Sequence, residues 1–268
     1  MIKLACASLS FDGFGDINYV KTFEIAPKAG YGYIEFNCWY PRTLTPGKMQ
    51  DLKERCKNNG LLPAALHVSN FGGADNRMEM TKDVCHKIRA MEAAKELGCR
   101  RVVATGYQRD QGGGLNAVID CLKEIAPIAE EMDILICLEN HANNNIENIK
   151  DYQIILDAIA SNNVGICIDT GHFDAANVSM NELIDKFAGR INHIHLKENK
   201  GMGEKNFTRF GEGTTDNHHI VKRMIGLGYE GFLTIELSPE IGENDGRPFG
   251  FDDILLPRKM FEPYITNL

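Results

Sequence analysis

Eight short apolar runs recur along the chain, each followed by a helical stretch, and this alternation constrains the fold more than any other feature. The expected strands lie at 2–8, 32–37, 62–68, 101–105, 134–139, 164–169, 191–196 and 232–236. The expected helices lie at 16–29, 46–59, 75–97, 112–131, 147–160, 179–188, 215–227 and 252–264. The runs have the length and β-branched content of buried parallel strands. Gly30, Gly32, Gly60, Gly98, Gly189, Gly228 and Gly231 supply stop signals before strands. Asp75 and Asp216 are suited to cap helices. Eight β-then-α units with no linker between them predict one α/β domain over residues 1–268, a closed (β/α)8 barrel. A doubly wound open sheet is the alternative. It accounts less well for the strand ends described below, because an open sheet gathers its site at one switch point.

Composition narrows the function. The chain has 29 basic and 37 acidic residues, a formal charge of −8. That balance argues against nucleic acid as partner, since phosphate binding needs a positive surface. None of the eight cysteines lies in a C-x-x-C pair, which disfavours a zinc–thiolate site. Cys6, Cys137 and Cys167 fall inside strand runs, where thiols behave as small core residues. Reduced thiols in a large chain point to the cytoplasm. The segment Met1 to Cys6 reads as a first strand rather than a signal peptide. No apolar run approaches the roughly 20 residues of a membrane span.

Four strands end in residues that can hold a metal: Glu139, Asp169, His195 and Glu236. In a closed barrel these ends converge on one face. Three carboxylates and an imidazole around one point would repel one another and resist desolvation unless a divalent cation joined them. Three oxygens and one nitrogen suit manganese, magnesium, cobalt or zinc without choosing among them, and manganese is the first expectation.

Other residues take positions relative to that point. Side chains alternate along a strand, so His141 shares the parity of Glu139, and His193 and Lys197 that of His195. Lys197 is placed above the site as a substrate contact, and His193 below it as a hydrogen-bonded core histidine. His172 is either a general acid or a group orienting Asp169. Glu35 is either a substrate contact or the buried partner of a cation. His67 is expected to line the pocket, with Tyr107 and Gln108 as a wall. Trp39, beside Tyr40, offers a ring on which a sugar stacks. Arg247 is placed where it could reach a substrate anion. The long stretches 197–214 and 237–252 read as irregular loops over the site. Gly112-Gly113-Gly114 lacks the Lys-Ser/Thr of a phosphate loop and reads as a flexible turn.

Leu138-Glu139-Asn140-His141, Ile168-Asp169-Thr170-Gly171-His172, His193-Ile194-His195-Leu196-Lys197, Gly211-Glu212-Gly213 and the run from Gly228 to Glu236 together resemble the xylose-isomerase-like TIM barrel superfamily. The resemblance covers nearly the whole chain. It implies a divalent metal held by Glu139, Asp169, His195 and Glu236. It implies catalysis by Glu139 and Glu236 on opposite sides of a bound sugar, with His141 or His172 as general acid in a dehydratase. The sequence departs from the DNA-repair members, whose Asp-x-His pair precedes the Gly-Glu-Gly turn; here Asp216 and His218 follow it. It departs from the ketohexose 3-epimerases at Asn145, where they carry a second glutamate, and after His195, where they carry an arginine. His141, His172 and Lys197 are closer to the inosose and dehydroshikimate dehydratase branch. The expected activity is a metal-dependent isomerase or epimerase acting on a sugar-derived hydroxy-ketone through a metal-stabilised enediolate. The alternative is a lyase: a dehydratase of a keto-polyol or keto-sugar, or an enzyme cleaving a keto-glycoside or C-glycoside. A small sugar or keto-polyol is the expected partner, with no nucleic acid and no membrane. The segment Phe261 to Tyr264 is a candidate for homo-oligomer contacts.

Overall fold

The computed structural model describes residues 1–12, 17–239, 241, 246–247 and 249–265. All eight expected strands form. They are β1 (Ile2–Ala7), β2 (Tyr33–Cys38), β3 (Leu62–Val68), β4 (Arg101–Thr105), β5 (Leu135–Glu139), β6 (Val164–Asp169), β7 (Ile191–Leu196) and, after a small hairpin, β10 (Gly231–Ile235). They pair in parallel and close in the order β1-β10-β7-β6-β5-β4-β3-β2. This is a single (β/α)8 barrel, with the apolar residues between strands and helices forming its main core.

The helices begin where side chains satisfy the first free backbone N–H groups. Thr45 accepts from Lys48 N ahead of Pro46–Asn58. Asn148 and Asp151 make a reciprocal box ahead of Ile149–Ala158. Asp216 caps Asn217–Gly226 as expected, whereas Asn76 rather than Asp75 caps Arg77–Leu97. The first expected helix is cut to Val20–Ile25. Tyr19 ahead of it adopts a left-handed conformation, and Pro27 behind it has no N–H to continue the ladder. The start of that expected helix falls partly outside the described residues.

Inside the barrel the side chains fill in layers. Phe232 and Tyr33 meet edge to face at 5.2 Å near the strand starts, with Ala5 and Ala64 beside them. Above lie Ala65, Val103, Cys137 and Cys167, all small enough to leave room for charged groups higher up. All eight cysteines are free thiols, and only Cys85 is exposed. No helix among the described residues is long and apolar enough to cross a membrane.

Two breaks in register set the face on which the site is built. Between β6 and β7 the pairing runs Ile166 to Ile191, then Cys167 to His193, passing over Asn192. Asp169 therefore sits beside His195. Without the shift Asp169, which shares the inner face with Cys167, would sit beside Ile194, and His193 and His195 would turn to the outer face. Between β2 and β3 the pairing likewise passes over Ala64, which brings Glu35 beside Ala65 and Asn37 beside His67.

The stretch 197–214 is less irregular than expected. Glu198–Asn199 (β8) and Phe207–Thr208 (β9) form an antiparallel hairpin. Asn199 closes it: its Nδ2 donates to Glu204 O and its Oδ1 accepts from Asn206 N. Much of the stretch 237–252 lies outside the described residues.

Candidate functional site

The strand ends bring Glu139, Asp169, His195 and Glu236 together. One ligand atom from each lies within 4.8 Å of all the others, and all four side chains are buried. Local bonds fix each group. Asn140, next to Glu139, accepts from Asp169 N at 2.9 Å and so ties the ends of β5 and β6. Asp169 Oδ1 caps a short helix, Thr170–Ala175, by accepting from His172 N at 2.9 Å. Thr170 Oγ1 accepts from Lys197 N and donates to Asn217 Oδ1, pinning the end of β7.

His195 stands at the centre. Its Nδ1 lies 2.6 Å from Glu139 Oε1 and 2.9 Å from Glu236 Oε2. The ring is aimed at Glu139, and Glu236 Oε2 remains buried without a hydrogen bond. On its other side Nε2 lies 3.1 Å from Glu35 Oε2. Burial opposes charge on this imidazole, but Glu35, Glu139 and Glu236 hold it well above its ordinary pKa. Burial would likewise raise Glu139, yet His195, His67 and His141 hold it well below the usual carboxylate range. Glu236 is brought down to about 2 against its burial by Lys197 and His195.

Lys197 carries its ammonium into this group. Nζ is 2.6 Å from Asp169 Oδ2 and 2.9 Å from Glu236 Oε1, and the side chain is 2% exposed. Gly171 makes room for it, since a Cβ there would lie 2.8 Å from Lys197 Cγ. Phe207 from the hairpin covers the ammonium, with its ring centre 5.0 Å away. Four carboxylates (Glu35, Glu139, Asp169 and Glu236) are thus buried together with one lysine and several histidines. Three carboxylate oxygens, among them the unbonded Glu236 Oε2, and an imidazole nitrogen form a donor set that fits a divalent ion.

A cavity of about 470 Å³ opens onto this group. Of the residues singled out in the sequence, Trp39, Tyr40, His67, His141, His172, Lys197 and Glu236 line it. His67 is buried, with Nε2 3.2 Å from Glu139 Oε2 and Trp39 tilted against its ring at 5.3 Å. His141 and His172 stack face to face at 3.7 Å. His141 Nε2 reaches Glu139 Oε2 at 3.2 Å, while His172 Nδ1 is buried with no partner. Burial, then the neighbouring His141 and Lys197, push His172 well below the usual imidazole pKa, so it is neutral.

Glu35 and His193 lie deeper. His193 is the buried, hydrogen-bonded histidine expected: Nε2 is 2.8 Å from Glu35 Oε2 and 3.0 Å from Thr234 Oγ1. Glu35 is buried and does not line the cavity.

Two expected contacts are placed elsewhere. Tyr107 does not line the cavity; its ring faces Gly73, and its N–H donates to Asn145 Oδ1 at 2.8 Å. The bend after β4 turns that ring outward. Arg247 lies on the surface, 3.1 Å from Glu212 Oε2, and lines a separate hollow with Arg209 and Phe210. Asn145 is turned into the backbone of the 105–107 loop and away from the cavity. Phe207, Asn70 and Asn144 line the cavity without having been singled out. Phe207 lay in a stretch read as irregular, and only its place opposite Asn199 in the hairpin turns it inward.

The hairpin also gives the protein a pH-dependent element. Glu198 is 5% exposed, and burial raises its carboxyl from 4.5 to about 7, against hydrogen bonds from Asn217 and Gly213 N. The folded-state value lies above the unfolded one. Its contribution to stability is therefore complete below about pH 4.5 and lost as pH rises through 7. Glu198→Gln, which stays neutral, is expected to gain stability relative to the unaltered chain as pH rises from 5 to 8, measured by urea unfolding. A constant difference across that range rules this out.

Residues 23–249 match the xylose isomerase-like TIM barrel family. Among characterised relatives, the inosose isomerase of Halalkalibacterium halodurans is 24% identical, over 82% of this chain and 83% of that protein. The inosose dehydratase of Yersinia enterocolitica is 25% identical, over 88% of this chain and 89% of that protein. The crystal structure of the IOLI protein with a binding zinc atom superposes with a TM-score of 0.79 at 20% identity, covering 99% of this chain and all of that one. With the barrel closed as the sequence predicts and the family match running through most of its length, the chain belongs to the xylose isomerase-like TIM barrel family.

Proposed function

We propose that the protein is a divalent-metal-dependent isomerase or epimerase of a sugar-derived hydroxy-ketone, with manganese as the first metal. The observation that carries this reading is the meeting of Glu139, Asp169, His195 and Glu236 within 4.8 Å, with Glu236 lining the cavity. The relationship to an inosose isomerase and an inosose dehydratase supports a keto-polyol or keto-sugar as substrate. The zinc atom of the IOLI protein supports a divalent ion. The eight free thiols suit a cytoplasmic protein.

Bound by these four residues, a divalent ion supplies a Lewis acid for adjacent carbonyl and hydroxyl oxygens. The chain's own groups do the rest. Glu236 lines the cavity, and its low pKa keeps it ionised to take a proton from the carbon beside the carbonyl. Isomerisation is completed when the protonated Glu236 returns that proton to the neighbouring carbon; epimerisation needs a proton at the other face, which Glu139 can give only after taking one from His141, 3.2 Å away. Lys197 holds a substrate oxygen, and Phe207 and Trp39 keep water from the reacting carbon.

A second reading, dehydration, is favoured by the stacked His141 and His172 on the cavity wall. His141, paired with Glu139, could deliver a proton to a departing hydroxyl, which leaves as water. Incubation with inososes and ketohexoses followed by mass spectrometry separates the two. Isomerisation leaves the mass unchanged; dehydration removes one water. We expect product of unchanged mass, lost on treatment with chelator and restored by manganese. Turnover that survives exhaustive chelation overturns the metal-dependent reading, and a product lighter by water replaces the first reaction with the second.

A further inference from the structure

We infer that Glu35 is a positioning residue: reaching across the barrel from β2 to β7, it holds the proton of His195 on Nε2 and so leaves Nδ1 to hold the ion. The inference rests on the metal-dependent reading above and goes further, to a residue outside the ligand set. Glu35 is completely buried, and among the described residues its ion-pair partners are the histidines His67, His193 and His195. Its Oε2 lies 2.8 Å from His193 Nε2 and 3.1 Å from His195 Nε2. A carboxylate only accepts hydrogen bonds, so each of these nitrogens carries a proton. The same argument puts a proton on His195 Nδ1, 2.6 Å from Glu139; an entering ion would displace that proton, because Nδ1 alone faces Glu139 and Glu236, while Glu35 keeps the proton on Nε2.

The surroundings make the carboxylate difficult to replace. His193 cannot orient His195 itself, because its Nε2 is committed to Glu35 and Thr234 and its Nδ1 has no partner. Alternation along β2 puts Glu35 on the inner side with Tyr33, and the β2–β3 register shift sets it beside Ala65. A ligating imidazole whose second nitrogen donates to a carboxylate is oriented and made more basic, and loss of such a partner typically weakens metal binding about 10–100-fold.

The test uses the full-length protein, freed of metal and titrated with manganese or zinc against a competing chelating dye. Glu35→Met removes both acceptors at similar volume and is expected to bind the ion about 10–100-fold more weakly. Glu35→Gln retains an oxygen acceptor and is expected to fall between Glu35→Met and the unaltered chain. A role in packing alone predicts that both variants bind within twofold of the unaltered protein, and that result overturns the inference. Nitrogen-15 NMR of the unaltered, ion-loaded protein gives an answer that needs no variant. His195 should show a protonated Nε2 and a ligating Nδ1; the opposite assignment overturns the inference. If the unaltered protein binds neither ion, the metal-dependent reading itself fails, and this one with it.

Discussion

Glu236→Gln is expected to lower turnover about a thousandfold, within the range for loss of a positioned acid–base group. The amide keeps the shape of the side chain but removes the charge that Lys197 and His195 hold ionised. It also removes one anionic donor from the metal-binding group, so binding and chemistry have to be measured separately. Ion affinity by dye competition and single-turnover rate at saturating metal make that separation. We expect the rate deficit to persist when the ion is saturating. Full recovery at high metal would mean that Glu236 only holds the ion and that the base is another group. Glu236→Asp is expected to retain ion binding better than Glu236→Gln, with a slowed rate because the shorter arm stops short of the reacting carbon.

Lys197→Met should destabilise the metal-free protein by about 3–5 kcal/mol, the cost typical of removing one partner from a buried charge pair. The ammonium lies between Asp169 and Glu236, and without it both face each other and Glu139 in a dry interior. For a chain of this size that corresponds to a fall in Tm of about 10 °C. A divalent ion would replace part of the missing charge. Relieved of the ammonium, Asp169 and Glu236 should bind the ion more tightly in the variant, and at about 100 times the variant's Kd, but below that of the unaltered chain, linkage returns roughly 2.7 kcal/mol to the variant alone. The melting curves of variant and unaltered chain should therefore lie far apart in chelator and close together in manganese. Equal separation under both conditions would mean that Lys197 and the ion do not act on the same carboxylates. Activity should remain low even when stability returns, because Lys197 lines the cavity.

The strands were legible because each is a short β-branched run that no helix would bury, and the observed bounds differ from the expected ones by a residue or so. The convergence of the four strand-end side chains was legible for the same reason: parity and a closed barrel leave Glu139, Asp169, His195 and Glu236 only one place to meet. His193 and Lys197 followed from parity as well. What the sequence did not contain was contact across the barrel. Nothing local to Tyr33-Ile34-Glu35-Phe36 says that Glu35 faces the two β7 histidines, since the partners are more than 150 residues away. Loop residues fared worse. Tyr107 and Arg247 have suitable chemistry, but their direction depends on bends and ion pairs that leave no periodic trace. The short helix Thr170–Ala175 went unread because Asp169, taken as a ligand, is also its cap.

The skipped Asn192 and Ala64 bear on how a barrel of this kind can be recombined. A chimera spliced within β6 or β7 from a barrel with unbroken pairing would lose the one-residue offset. His193 and His195 would emerge beneath the outer helices while the fold itself closed normally. Crossover points in the connecting loops keep each offset with the strand pair that needs it. Exchange of whole strand–helix units that carry both sides of an offset should give working hybrids, whereas cuts a few residues further in should give soluble but inert ones.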